Sequence, residues 1–106
     1  MKAAKKKIRE NFRQSVFKRD GFKCRACGIK DVKLDAHHIT DRKEMPNGGY
    51  VAANGISLCD TPGGCHEKAE QFHSSGQALP GYSPDDLYLL IGSSKSKAIE
   101  DSESLL

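Results

Sequence analysis

Apolar residues recur at Ile8, Phe12 and Val16, a spacing of four that draws one stripe along a helix over residues 3–19. Phe17 widens the stripe, and Lys5, Lys6, Arg9, Arg13 and Lys18 lie mostly off it. Asp20-Gly21 predicts the stop. From Asp31 to Ile39 the period shortens to two, with Val32, Leu34, Ala36 and His38 on one face. That alternation predicts a strand running into a histidine doublet, with His37 and His38 on opposite faces. Thr40 to Ala53 reads as a loop or loose hairpin connection, because Pro46-Asn47-Gly48-Gly49 is a strong turn signal. Gly55–Cys59 predicts a second short strand. Cys65 opens a helix through about Ser74, with Ala69 and Phe72 as its small apolar face and Gly76 as its stop. Ser83 caps a further short helix, with Pro84 at its first position and Asp85 and Asp86 in its first turn. Ser93 to Leu106 is Ser-rich and acidic, and reads as a weak helix or a tail. The class predicted is α+β, in one domain over residues 1–106.

Charge changes this picture. Residues 1–33 hold twelve Lys or Arg against Glu10, Asp20 and Asp31, so that segment is +9 while the whole chain is only +3. A basic segment on a small domain suits a polyanion, through phosphate charge and counterion release. A solvated charged helix or a floppy basic tail would give the same count. No apolar run reaches the roughly 18 residues of a membrane span. The basic N-terminus is not followed by the apolar core of a secretory signal. The expected location is therefore the cytoplasm.

In a reducing compartment, paired cysteines bind metal more often than they form disulfides. Cys24 and Cys27 are spaced C-x2-C, with Gly28 behind them to close a tight knuckle. Cys59 and Cys65 form a wider knuckle across Pro62, Gly63 and Gly64. Four thiolates make a closed tetrahedral zinc site with no open position, hence a structural and not a catalytic ion. Two disulfides or four buried free thiols are the competing readings.

Taken in order, Cys24-Arg-Ala-Cys27-Gly, Asp35-Ala-His37-His38-Ile39, Asn54-Gly-Ile-Ser-Leu-Cys59 and Cys65-His66 resemble the HNH endonucleases that carry two zinc knuckles. The resemblance spans about Val16 to Ser74. Small phage and bacterial members, including nicking enzymes, are similar in size. It implies a treble-clef-like, ββα-metal core over residues 22–76, flanked by a basic helix (1–20) and a C-terminal helical segment (83–106). It also implies that His37 and His66 hold one divalent ion and that His38 is the general base. Asn54 would steady the loop and the base, or approach the ion. Glu70, one turn beyond His66, is a candidate third ligand. His73 lies about 10 Å further along the helix and is expected at the surface or on a phosphate.

The chemistry agrees with the motif. A neutral imidazole can take a proton from water near pH 7, and a divalent ion relieves charge on a phosphodiester and its leaving oxygen. Many zinc-containing relatives have Asp at the position of His37, and imidazole suits Mn²⁺, Ni²⁺ or Zn²⁺ better than Mg²⁺. The expected cofactors are therefore structural Zn²⁺ and catalytic Mn²⁺ or another transition ion. The expected partner is DNA, held mostly through its backbone by Lys6, Arg9, Arg13, Arg19, Arg25, Arg42 and Lys43. The chain is expected as a monomer or weak dimer, with phage packaging proteins among the partners that the resemblance admits. The rival function is a zinc-stabilised nucleic-acid-binding module without catalysis. It explains the cysteines and the basic segment but not the ordered histidines and asparagine.

Overall fold

The computed structural model describes residues 2–105, and side chains from residue 5 to residue 105. Met1 and Leu106, the ends of the expected basic helix and C-terminal tail, lie outside the described residues. Four α-helices and a two-stranded antiparallel sheet make up the α+β architecture. Helix α1 spans Lys2–Arg19 and buries Phe12 and Val16 of the predicted stripe and Phe17 beside it, while Ile8 is half-buried. It ends where Gly21 takes a left-handed φ of 69° and the Phe22 amide donates to Phe17 O at 2.9 Å.

A knuckle follows. The Gly28 amide closes it onto Cys24 O at 2.9 Å, and Lys23 bridges antiparallel to Lys30. Strand β1 (Leu34–His38) is shorter than the predicted Asp31–Ile39. Asp31 sits at φ 64°, which extended backbone cannot accommodate, so pairing starts only after the knuckle. Strand β2 (Gly55–Cys59) pairs with β1 from Leu34 opposite Cys59 to His38 opposite Gly55. Every residue of β2 is buried, because α1 covers one face and the other faces the remaining core. Gly55 permits that contact. A Cβ there would lie 2.5 Å from Val16 Cγ2 and 2.7 Å from Phe12 Cε1.

The connection between the strands contains three short 3-10 turns, Arg42–Glu44, Pro46–Gly49 and Ala52–Asn54. Helix α2 (Cys65–Ser75) stops at Gly76, whose φ of 77° turns its amide onto Phe72 O. Helix α3 (Pro84–Leu90) starts with a full capping box, Ser83 with Asp86. The serine-rich end is helical too. In α4 (Lys95–Glu103), Ser94 caps the start, and Ala98 and Ser102, four apart, are buried. The helix is pinned to the interstrand loop by Asn47, which donates to Ser102 O at 2.9 Å. The main core gathers Ile39, Met45, Ile56, Leu58, Ala69, Leu87, Tyr88 and Ala98 around the knuckle cysteines. No helix among the described residues is long and apolar enough to cross a membrane.

One ionic lock ties α1 to β2. Buried Asp20 accepts from Arg19 Nε and Nη2, both at 2.9 Å, and from the Ser57 amide at 2.8 Å. The same guanidinium donates to Ala52 O and Gly55 O, each at 2.7 Å. Removing Arg19 strands a buried carboxylate, so Arg19→Ala is expected to cost about 3–5 kcal/mol of stability in urea unfolding. A loss below about 1 kcal/mol would show the lock to be dispensable.

Candidate metal centre and its cleft

The four cysteines converge. Their sulfurs lie within 4.8 Å of one another, with Cys27 Sγ 3.9 Å from Cys59 Sγ. The Cys65 amide points at Cys59 Sγ (3.2 Å) and the Cys27 amide at Cys24 Sγ (3.5 Å). Such N–H donors favour thiolate over thiol. Cys24 shows the balance: burial pushes its pKa up, but backbone amides of Cys27, Cys59 and Ala26 outweigh it and draw it down to about 7. The Tyr82 hydroxyl lies in hydrogen-bond contact with Cys65 Sγ at 3.2 Å, a contact that no motif announces. Four free sulfurs gathered at one point fit a metal such as zinc.

On the other side of the sheet end, a cleft of about 540 Å³ opens between α1, β1, the interstrand loop and α2. The histidine doublet divides across β1. His37 is buried against α2, its ring stacked on His73 (centroids 5.1 Å apart) and edge-on to His66 (5.5 Å). His38 packs toward α1 instead, stacked on Phe12 at 4.5 Å and edge-on to Tyr50 at 4.9 Å. Burial, then the neighbouring His73, His66 and His38, push the pKa of His37 down to about 3. Burial and Arg42 push that of His38 down to about 4. Both rings are therefore neutral at pH 7 and carry a lone pair. The buried Nε2 of His38 has no hydrogen-bond partner, so the aromatic rings on either side hold its orientation.

His66 is held at both nitrogens. Its Nδ1 lies 3.3 Å from Asp60 Oδ1, and its Nε2 lies 3.1 Å from Asp35 Oδ2. Asp35, His37 and His66 together present ligand atoms within 4.8 Å of one another. Two imidazoles and a carboxylate are a donor set for a divalent transition ion. Glu70 stands beside them, with Oε2 4.0 Å from His37 Nδ1 and Oε1 3.9 Å from His66 Nε2.

The cleft matches nothing by descent that comparison detects. No protein-family model, no curated protein and no solved structure matches the chain.

Several expected positions need correction. His73 is not an outlying surface residue. The His37 ring stacks on His73, so a ring nitrogen of His73 comes within 4.8 Å of ligand atoms of His37 and Glu70. The separation of His73 from His66 along the helix did not reveal a third element between them. Of the two roles expected for Asn54, bracing the loop and approaching the ion, the structure shows the first. Its Oδ1 accepts from the Thr40 amide (3.0 Å) and the Tyr88 hydroxyl (2.7 Å), and its Nδ2 donates to Thr40 O (3.1 Å) and Gly49 O (3.3 Å). It braces the loop that follows His38. Asn54→Ala is expected to lower stability by about 3 kcal/mol, read as a lower urea midpoint, since it orphans buried donors. Arg19 serves the lock described above and not a phosphate. Arg25 is likewise engaged, with Nε donating to Leu90 O at 3.1 Å and Nη1 3.7 Å from Asp20.

Arg9, Arg13, Arg42 and Lys43 do line the cleft, while Lys6 is exposed on α1 and is not among its lining residues. Arg42 donates to Tyr50 Oη at 2.8 Å. Asp35, Asp60 and Tyr50 were missed as site residues. For Asp35 a signal existed, since it stands two before His37 and so shares its face of the strand. Tyr50 carried none, because its place depends on the path of the loop.

Proposed function

We propose that this chain is a metal-dependent DNA endonuclease of the HNH, ββα-metal type that nicks one strand at a time. One observation carries the reading: Asp35, His37 and His66 converge as metal donors in the cleft that the neutral imidazole of His38 also lines. Basic side chains on the cleft wall, Arg9, Arg13, Arg42 and Lys43, suit the flanking phosphates of a nucleic-acid strand. A binding module without catalysis would not need the histidines.

Each residue then has a task. His37 and His66 would hold the ion with Asp35, and Asp60 keeps the His66 ring turned so that Nε2 faces the site. A divalent ion bound there would offset the charge developing on the scissile phosphate and on its leaving 3′ oxygen. His38, neutral and held between Phe12 and Tyr50, takes the proton of the attacking water. Asn54 and His73 hold the backbone that follows that ring, His73 by donating Nε2–H to His38 O at 3.0 Å and Asn54 by accepting from the Thr40 amide. Two imidazoles favour Mn²⁺ or another transition ion over Mg²⁺.

The test is a supercoiled plasmid incubated with zinc-loaded protein in Mn²⁺, in Mg²⁺ or in brief EDTA. Circular dichroism would confirm that the protein stays folded in each. Nicked circles should appear first with Mn²⁺, weakly with Mg²⁺ and not in EDTA. DNA retained in a gel shift without any cut would favour the binding module. Cleavage at least as fast in Mg²⁺ would refute the metal preference.

A further inference from the structure

A second cavity adjoins the cleft. It holds about 390 Å³ and is lined by Lys5, Ile8 and Arg9 of α1, by Asn47 and Tyr50 of the interstrand loop and by Leu105 just beyond α4. Arg9 and Tyr50 line the cleft as well, so the two spaces share a wall. No step of the proposed hydrolysis uses this second space.

Specific contacts hold its walls in place. Ser102 O accepts from Asn47 Nδ2 at 2.9 Å and from the Leu105 amide at 3.2 Å, so one carbonyl sets the loop beside the end of the chain. A Cβ on Gly48, whose φ is 82°, would lie 2.7 Å from Tyr50 Cε2, so only glycine lets the loop close onto that ring. Phe12 and His38 meet the same ring edge-on, with centroids 5.8 and 4.9 Å away, and Arg42 donates to its hydroxyl at 2.8 Å. Tyr50 is therefore a fixed partition between the two spaces. Ile8, Tyr50 and Leu105 stay half-buried, although Phe12 and Val16 of the same α1 stripe lie in the core.

Aliphatic and aromatic walls with one amide and two cations suit a flat ring with polar edges that is joined to a phosphate. The shared wall says where that phosphate runs, because Arg9 borders both the pocket and the cleft. We propose that this pocket takes one unpaired nucleobase of the strand whose backbone lies in the cleft. Ile8, Tyr50 and Leu105 surround the base, and Lys5 and Arg9 meet the adjoining phosphates. A paired base can enter only by leaving its stack, at a cost in free energy. Single-stranded or locally unpaired DNA is then the substrate class that fills both spaces. The inference rests on the nucleic-acid reading of the cleft and adds to it the kind of strand that is bound.

The experiment measures binding without cleavage, on zinc-loaded full-length chain in the absence of Mn²⁺. Two short single-stranded oligonucleotides of equal length are compared by fluorescence polarisation, one with thymine at every position and one abasic throughout. Their phosphates are the same. The thymine strand should bind about tenfold tighter, the scale of one base held against aromatic side chains. Ile8→Ser and, independently, Leu105→Ser should bring that ratio toward one and leave the abasic strand bound as before. In carbon-13 methyl spectra, the Ile8 and Leu105 signals should move with the thymine strand, stay still with the abasic one, and stay still when the thymine strand is paired to its complement. Circular dichroism identifies a variant that has lost its fold, and the other variant then decides. Equal affinity for the two strands overturns the proposal, as does a ratio that folded variants retain or a methyl shift that survives pairing. Methyl shifts that follow protein concentration alone would assign the pocket to a second copy of the chain, against the proposal. Base-dependent binding without plasmid nicking in Mn²⁺ would leave the pocket standing and remove the nuclease reading; nicking with equal affinity for the two strands would do the reverse.

Discussion

Cys59→Ser is expected to unfold the domain, and so is stripping the four-cysteine site with a strong thiolate-competing chelator. Cys59 ends β2, opposite Leu34, and it lies within sulfur–sulfur reach of Cys27 and within reach of the Cys65 amide. Three chain segments are thus gathered at one point: the knuckle, the sheet end and the start of α2. A structural zinc contributes on the order of 10 kcal/mol of apparent folding free energy. A domain of this size has only about 5–15 kcal/mol of net stability. Removing the metal should therefore take away most or all of it, and losing one thiolate most of the metal affinity. Far-UV circular dichroism and a thermal melt, with zinc measured in the same samples, read the effect. A metal-free chain that melts within a few degrees of the loaded one would show that the sulfurs pack without needing an ion.

The second large effect concerns His38. His38→Ala should reduce nicking by about 10²–10⁴-fold, the range of general-base removal. Mn²⁺ affinity and DNA retention should stay near native, because His38 belongs to neither donor set. His37→Ala should behave differently. It should weaken Mn²⁺ binding, and excess Mn²⁺ should partly restore the rate. The division follows from which neighbour each ring touches: α2 and its ligands for His37, Phe12 and Tyr50 for His38. Equal loss of ion affinity in both variants would mean that the doublet works as one ligand pair and that the base lies elsewhere.

Much of this arrangement was legible in the residues. The stripe of α1, the bounds of β2, the Ser83 start of α3 and the Gly76 stop of α2 are local signals, and each appears at its expected place. The cysteine spacings were informative because four thiols in two knuckles have few ways to be used. What was not legible depends on the angle between elements. That His73 on α2 meets His37 on β1 is a matter of packing and not of spacing. Arg19 and Arg25 look like phosphate ligands in a run of positive charge. Only the folded position of Asp20 under β2 shows that Arg19 is turned inward and that Arg25, though exposed, reaches toward the same carboxylate. The helical end of the chain was ambiguous because its buried positions are Ala98 and Ser102, too small to draw an apolar stripe.

Two peptide bonds join the sulfur site to the cleft. Cys59 is followed directly by Asp60 and Cys65 by His66, and Asp60 and His66 contact each other at 3.3 Å. A zinc ion on the two cysteines thereby fixes the backbone from which a cleft ligand and its orienting carboxylate project. Linkage of this kind is reciprocal: whatever zinc adds to the affinity of the cleft for its ion, that ion adds equally to the retention of zinc. If the cleft takes an ion as proposed, the two sites would fill cooperatively, the sulfur site first. A chain short of zinc would lose its shape and, with it, the backbone that sets the cleft ligands.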